Sequence, residues 1–138
     1  MGRIVALDYG TKRVGIAVSD ELQLIASSVG TVHSKEIIGF LKKYVTAEKV
    51  DCFVVGEPKQ MDNTESESEK YIKGFISKLK TEFPTVPVDR YDERFTSKIA
   101  SKTMFDAGLN KKQRKDKNLL DSISATLILQ SYMEYKKL

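Results

Sequence analysis

Three acidic residues in this chain of 138 could together do metal-dependent chemistry on phosphate: Asp8, Glu93 and Asp121. Asp8 directly follows the apolar run Ile4-Val5-Ala6-Leu7, and Glu93 follows a second run within Tyr91-Asp92-Glu93-Arg94. Asp121 stands at helical spacing with Ala125, Ile128 and Tyr132, on a face that should pack inward. A carboxylate on such a face needs a compensating partner. Carboxylates brought together repel one another and ionise together only where a cation neutralises them. Their hard oxygens suit Mg²⁺ or Mn²⁺, and two such ions about 4 Å apart can hold a phosphodiester in transit. One ion would activate water and the other would stabilise the departing 3′ oxygen. No Cys/His spacing suggests zinc. Each acid also has an ordinary reading. Asp8 can form a turn before Gly10, Asp92 and Glu93 can be solvated charges at a strand end, and Asp121 can favour a helix dipole.

Only a fold that gathers the three acids gives them chemistry. Arg3 to Asp8 reads as a strand buried on both faces. Tyr9-Gly10-Thr11-Lys12 is a turn, and Val14 to Val18 returns as the second arm of a hairpin. Leu24 to Val32 is a third strand. Ser34 can cap a helix over 35–46, with Ile37, Ile38, Leu41, Tyr44 and Val45 at helical spacing. Cys52 to Val55 is a strand ending at Gly56-Glu57-Pro58. Thr64 and Glu67 have capping-box spacing ahead of Tyr71, Ile72, Phe75, Ile76 and Leu79, and Pro84 lies beyond that helix. Val86 to Tyr91 is the fifth strand. Thr96 or Ser97 starts a helix that Gly108 ends, 109–117 is a basic loop, and Asn118 caps a last helix to about Lys136.

The order β-β-β-α-β-α-β-α-α predicts an α/β fold in one domain over 1–138. Its mixed five-stranded sheet has three antiparallel strands, then parallel ones, with helices on both faces. Such sheets place ligand sites at the carboxyl ends of their strands. If the first and fifth strands are parallel, Asp8 and Glu93 emerge at one edge.

Composition bounds the partners. Apolar residues make up 41% and charged residues 30%, which describes a globular chain. The net charge of +4 is too small by itself to mark a nucleic-acid binder, but its placement is uneven. From Lys98 to Asn118 there are seven cations (Lys98, Lys102, Lys111, Lys112, Arg114, Lys115 and Lys117) against Asp106 and Asp116. The single cysteine, Cys52, rules out an internal disulfide framework and fits a reducing, cytoplasmic setting. No uncharged apolar run nears the roughly 18–20 residues that span a bilayer. The opening MGRIVALDYG enters a strand too soon for a signal peptide. Membrane, secreted and fibrous classes are therefore not expected. His33, the only histidine, reads as structural, Cys52 as a small core residue, and Leu127, Ile128, Leu129 and Met133 as core.

Four blocks carry a family resemblance: Leu7-Asp8-Tyr9-Gly10-Thr11-Lys12-Arg13-Val14-Gly15, Val54-Val55-Gly56-Glu57-Pro58, Asp92-Glu93-Arg94-Phe95-Thr96-Ser97 and Leu120-Asp121-Ser122-Ile123-Ser124-Ala125. In order and total length the sequence resembles the YqgF or RuvX family of the ribonuclease-H-like superfamily. The resemblance implies that fold and a divalent-metal nuclease, with Asp8, Glu93 and Asp121 as its catalytic, metal-binding acids. It implies work on the 5′ end of pre-16S ribosomal RNA or, by older analogy, on branched DNA junctions, in the cytoplasm. Met61-Asp62-Asn63-Thr64 lacks a glycine usual in the family, and Lys117-Asn118 replaces a usual Lys-Gly pair.

Supporting roles follow from charge. Lys12 and Arg13 could meet phosphates beside Asp8, Arg94 could fork onto a phosphate, and Lys111, Lys112, Arg114, Lys115 and Lys117 could track a backbone. With no tryptophan and no stacking row, recognition should rest on RNA shape. Two other functions fit parts of the chain. Asp8-Tyr9-Gly10-Thr11 resembles the phosphate hairpin of actin-like phosphotransferases, and the basic loop alone would serve a non-catalytic RNA-binding module. Oligomeric state stays open between monomer and dimer.

Overall fold

The computed structural model describes residues 2–58, 68–92 and 117–136, with side chains from Ser122 onward in the last stretch. Strands β1 (Arg3–Tyr9), β2 (Arg13–Ser19) and β3 (Ala26–His33) come first. Helix α1 (Ile37–Ala47), β4 (Val50–Glu57), α2 (Glu69–Glu82) and β5 (Val88–Asp92) follow, and helix α3 covers Lys117–Lys136. The spatial order is β3-β2-β1-β4-β5. β1 pairs antiparallel with β2, and β2 with β3, whereas β4 runs parallel to both β1 and β5. This is the mixed sheet the sequence predicts.

Both faces are covered because apolar residues run continuously along the central strands, and alternation sends them to opposite sides. Val5, Leu7, Val14, Ile16, Phe53 and Val55 pack against Ile37 and Leu41 of α1 and Ile72, Phe75 and Leu79 of α2. Ile4, Ala6, Ala17 and Val54 pack against Ala125, Ile128, Leu129, Tyr132 and Met133 of α3. The small residues Ala6, Ala17 and Ala125 let that helix lie close to the sheet. Leu127, expected in the core, is only half-buried. His33 Nδ1 accepts the Lys35 N–H at 3.1 Å, a local structural role. Cys52 is half-buried, and burial pushes its thiol upward, toward the neutral form.

Several element boundaries differ from expectation, four of them for a visible reason. The third strand begins at Ala26, not Leu24, because the Asp20 carboxylate accepts the N–H groups of Leu24 and Ile25 at 2.7 and 2.9 Å and holds them in a turn. The fifth begins at Val88, since Val86 N–H closes a turn onto Phe83 O. Ser34 caps nothing. Its hydroxyl donates to Thr11 O at 2.6 Å, tying the first hairpin to the end of β3, and α1 starts at Ile37 without a side-chain cap. Asn118 lies inside α3, one residue past its start, so Lys117 is helical and not part of the loop. Thr64, Glu67 and the helix expected from Thr96 or Ser97 to Gly108 lie outside the described residues.

One irregularity marks the β2–β3 ladder. Ile16 faces Gly30 but Ala17 faces Ser28, so Val29 is an extra residue, and Gly30 adopts a positive φ of 125°. That is a β-bulge on an edge strand.

Among the described residues no helix is long and apolar enough to cross a membrane.

Candidate active site at the carboxyl end of the sheet

β1, β4 and β5 are parallel neighbours, so their carboxyl ends finish together. Asp8 is next to last in β1, Glu57 ends β4 and Asp92 ends β5. Asp8 shares alternation with Ile4 and Ala6, so it faces the side of the sheet that α3 covers. Its cross-strand partner on β2 is Gly15, and the register Leu7↔Val55 sets Gly56 beside it on β4. Gly56 in turn faces Tyr91 of β5. The half-buried Asp8 carboxylate is thus flanked on both neighbouring strands by residues without side chains. A glycine inside a strand often marks close approach of a ligand or another backbone.

The hairpin beyond Asp8 is tightly closed. Gly10 N–H donates to Arg13 O at 2.8 Å, and a Cβ on Gly10 would meet that same oxygen at 2.8 Å. Only glycine fits there. Lys12 is exposed and Arg13 half-buried, so one cation at least stands in solvent near the acid. Lys12 O also accepts the Ser34 N–H at 3.1 Å, which fixes the turn from its far side.

Arg90, which sequence reasoning missed, braces this end from the opposite face. Its Nε donates to Val55 O at 3.2 Å and its Nη2 to Gly56 O at 3.1 Å. Its Nη1 stands 2.8 Å from Oε1 of Glu69, whose side chain is only 2% exposed, and Nη2 donates to Glu69 Oε2 at 3.3 Å. Oε1 has no aligned hydrogen bond, so its contact with Nη1 is chiefly one of charge. The pair fastens the first turn of α2 to the backbone just beside Asp8. The sequence signal was faint: Glu69 looks like any acid at a helix start, and its partner lies 21 residues away.

Helix α3 runs antiparallel to β1. Its later residues Tyr132, Met133 and Lys136 border one cavity with Ile4, Asp51 and Pro87 at the amino end of the sheet, where the Tyr132 hydroxyl also donates to Asp89 at 2.8 Å. The backbone of Asp121, one turn before the buried Ala125, therefore lies toward the same end of the sheet as Asp8. The side chains of Asp121 and Lys117 are outside the described set, as are Glu93, Arg94, Lys111, Lys112, Arg114 and Lys115 entirely. Among the described residues no three His, Cys, Asp or Glu side chains form a metal cluster. Of the described carboxylates at this end, Asp8 alone faces α3, with hard oxygens that suit a divalent cation, whereas Glu57 and Asp92 alternate to the Arg90 side.

The profile of the RuvX family, described as Holliday junction resolvase, matches residues 2–135. The chain belongs to the RuvX family. It is 55% identical over 137 residues to a Parabacteroides distasonis protein named "Putative pre-16S rRNA nuclease", covering 99% of this chain and 98% of that one. A Bacteroides thetaiotaomicron protein of the same name is 54% identical over 137 residues, 99% of each chain. Among solved structures, Fowlpox virus resolvase bound to Holliday junction DNA superposes with a TM-score of 0.55 at 16% identity, over 97% of this chain and 98% of that one. Thermus thermophilus RuvC with its Holliday junction substrate gives 0.54 at 16%, over 98% and 95%. These likenesses show a ribonuclease-H-like fold, as the resemblance implied.

Proposed function

We propose that this RuvX-family protein is a single-domain, divalent-metal-dependent endonuclease of the cytoplasm that hydrolyses phosphodiester bonds in structured RNA, with the 5′ end of pre-16S ribosomal RNA as its substrate. One observation carries the reading. Asp8 stands at the carboxyl end of the central parallel strands, between Gly15 and Gly56, which put no side chain beside it. In this reading Asp8, Glu93 and Asp121 hold Mg²⁺ or Mn²⁺. Support for the other two acids is positional: β5 ends at Asp92, one residue before Glu93, and the Asp121 end of α3 is directed to the same end of the sheet. Bound cations would supply Lewis acidity and lower the pKa of attacking water.

The chain's own groups do the rest. Asp8 fixes the position of the charge. Lys12 and Arg13, on the hairpin closed by Gly10, take the flanking phosphates, and Lys117 with Arg94, Lys111, Lys112, Arg114 and Lys115 extends the basic track. Names carried by the curated relatives favour RNA, and the family description favours a second reading, a four-way DNA junction.

The test offers a 5′-extended ribosomal RNA precursor and a four-way DNA junction to purified protein, with Mg²⁺, Mn²⁺ or chelator. Metal-dependent cutting of the precursor, lost in Asp8→Asn, is the expected result. Undiminished cutting by Asp8→Asn removes the mechanism, and cutting of the junction alone transfers it to DNA.

A further inference from the structure

The amino end of the sheet carries a surface the nuclease reading does not use. The β2–β3 turn shows Leu22, Leu24 and Ile25 to solvent at 65%, 59% and 65% exposure. Beside it a cavity of about 550 Å³ is walled by Ile4, Leu22, Leu24, Val88 and Met133 and floored by Tyr132. A second hollow of about 390 Å³ adjoins it across Leu24 and Met133, and exposed Tyr135 follows on α3. Contiguous exposed apolar surface of this kind marks interaction sites.

The turn is rigid. Asp20 accepts two backbone N–H groups, and these bonds hold its carboxyl below the usual carboxylate range. Gln23 sits in the left-handed region at φ 58°, unusual for a residue with a side chain. Its amide donates to Gly2 O at 2.7 Å and to Asp51 Oδ2 at 2.9 Å, pinning the turn to the starts of β1 and β4. A strained backbone held by two side-chain bonds keeps three large apolar groups in water in one arrangement. Pre-ordering of this kind lowers the entropy cost of docking.

Charge selects the occupant. Among the described residues that build or line this surface, Asp20, Glu21, Asp51, Asp89 and Glu134 are acidic and Lys136 alone is cationic. The field is opposite in sign to the whole chain, at +4. Nucleic acid and anionic lipid are repelled. A two-fold contact with a second copy would set acids against acids. We propose that this surface docks a basic protein segment presenting apolar side chains to the two hollows and Lys or Arg to the acidic rim, independently of the nuclease site at the other end.

The probe is a synthetic amphipathic helical peptide with leucines on one face and lysines on the other, read by fluorescence anisotropy and amide NMR shifts. We expect saturable binding with shifts confined to residues 20–26, 51, 89 and 133–136. Binding should weaken at least about tenfold in Leu22→Ser/Leu24→Ser/Ile25→Ser, and several-fold in Glu21→Lys/Glu134→Lys, as expected for loss of anchors and of charge complementarity. All five replaced residues are exposed, so folding is retained. No saturable binding, equal binding to the triple variant, or equal binding of a leucine/glutamate peptide overturns the proposal. So does a dimer in analytical ultracentrifugation that the triple variant dissociates, or phosphatidylglycerol vesicle binding that the triple variant abolishes while peptide binding is unchanged.

Discussion

The two ends of this sheet are built from the same strands and differ in kind. At the carboxyl end Asp8 stands between two side-chain-free positions on the α3 face, and the scaffold that holds this end lies on the far face, where Arg90 joins Glu69 and Glu57. At the amino end Asp51 and Asp89 are bonded directly to Gln23 and Tyr132 over an apolar hollow. Strand polarity explains the division. Parallel strands deliver the loops that follow them to one end, where chemistry can be assembled, and leave the other end free to be fastened shut.

The sharpest way to break this contrast is to neutralise one acid at each end. Asp8→Asn is expected to reduce cleavage at least about a thousandfold with thermal stability nearly unchanged, since charge stabilisation at the reacting phosphate is lost. Asp89→Asn should leave cleavage within a few-fold of the parent. Comparable losses in a single-turnover assay would dissolve the distinction.

Next in size is the brace. Glu69→Ala leaves Arg90 half-enclosed with only the more distant Glu57, at 3.9 Å, as counter-charge. Breaking a buried pair costs about 3–5 kcal/mol, and because the Arg90 side chain is 24% exposed the lower figure applies. Urea unfolding should show about 3 kcal/mol lost, with cleavage falling too because Gly56 is no longer held. A change below about 1 kcal/mol would show that the pair braces nothing.

Gly10→Ala forces a Cβ against Arg13 O and should cost about 1–3 kcal/mol by the overpacking rule. Its effect on cleavage should exceed its effect on melting, because the hairpin places Lys12. A variant that cuts as well as the parent would free the site from the turn.

The smallest effect is at the amino end. Burial, followed by the bond to Asp89, raises the Tyr132 hydroxyl above its usual range. The folded state therefore keeps a proton that the unfolded chain releases near pH 10, so stability is intact below that value and declines as pH rises past it. Tyr132→Phe should lose about 1 kcal/mol at neutral pH and show a shallower alkaline decline in melting temperature. An identical alkaline slope would assign the decline to other groups.

These variants also show what could be read before folding. The strands β1, β2 and β4 were legible because they are apolar without interruption, and a run such as Ile4-Val5-Ala6-Leu7 can be buried on both sides only inside a sheet. The position of Asp8 was legible for the same reason, as the first charge after that run. Leu24 and Ile25 misled because apolar type was read as the start of a strand, whereas the Asp20 carboxylate decides their conformation. Ser34 and Asn118 misled because capping residues signal only a potential: Ser34 spends its hydroxyl on Thr11 O, and Asn118 is passed over by a helix already begun. The Arg90–Glu69 brace was invisible because nothing in sequence separates a buried glutamate from a solvated one. Glu93 and the cations from Arg94 to Lys115 are known here by type alone.

The extra residue at Val29 has a consequence for the protein as a material. β3 reads Ala-Ser-Ser-Val-Gly-Thr-Val-His and carries no Lys, Arg, Asp or Glu to ward off another strand. The bulge at Val29 and Gly30 breaks the regular comb of amide groups that a second molecule would need for templated stacking. A shortened β3 lacking Val29 would present a straighter, uncharged edge, more open to strand stacking between molecules.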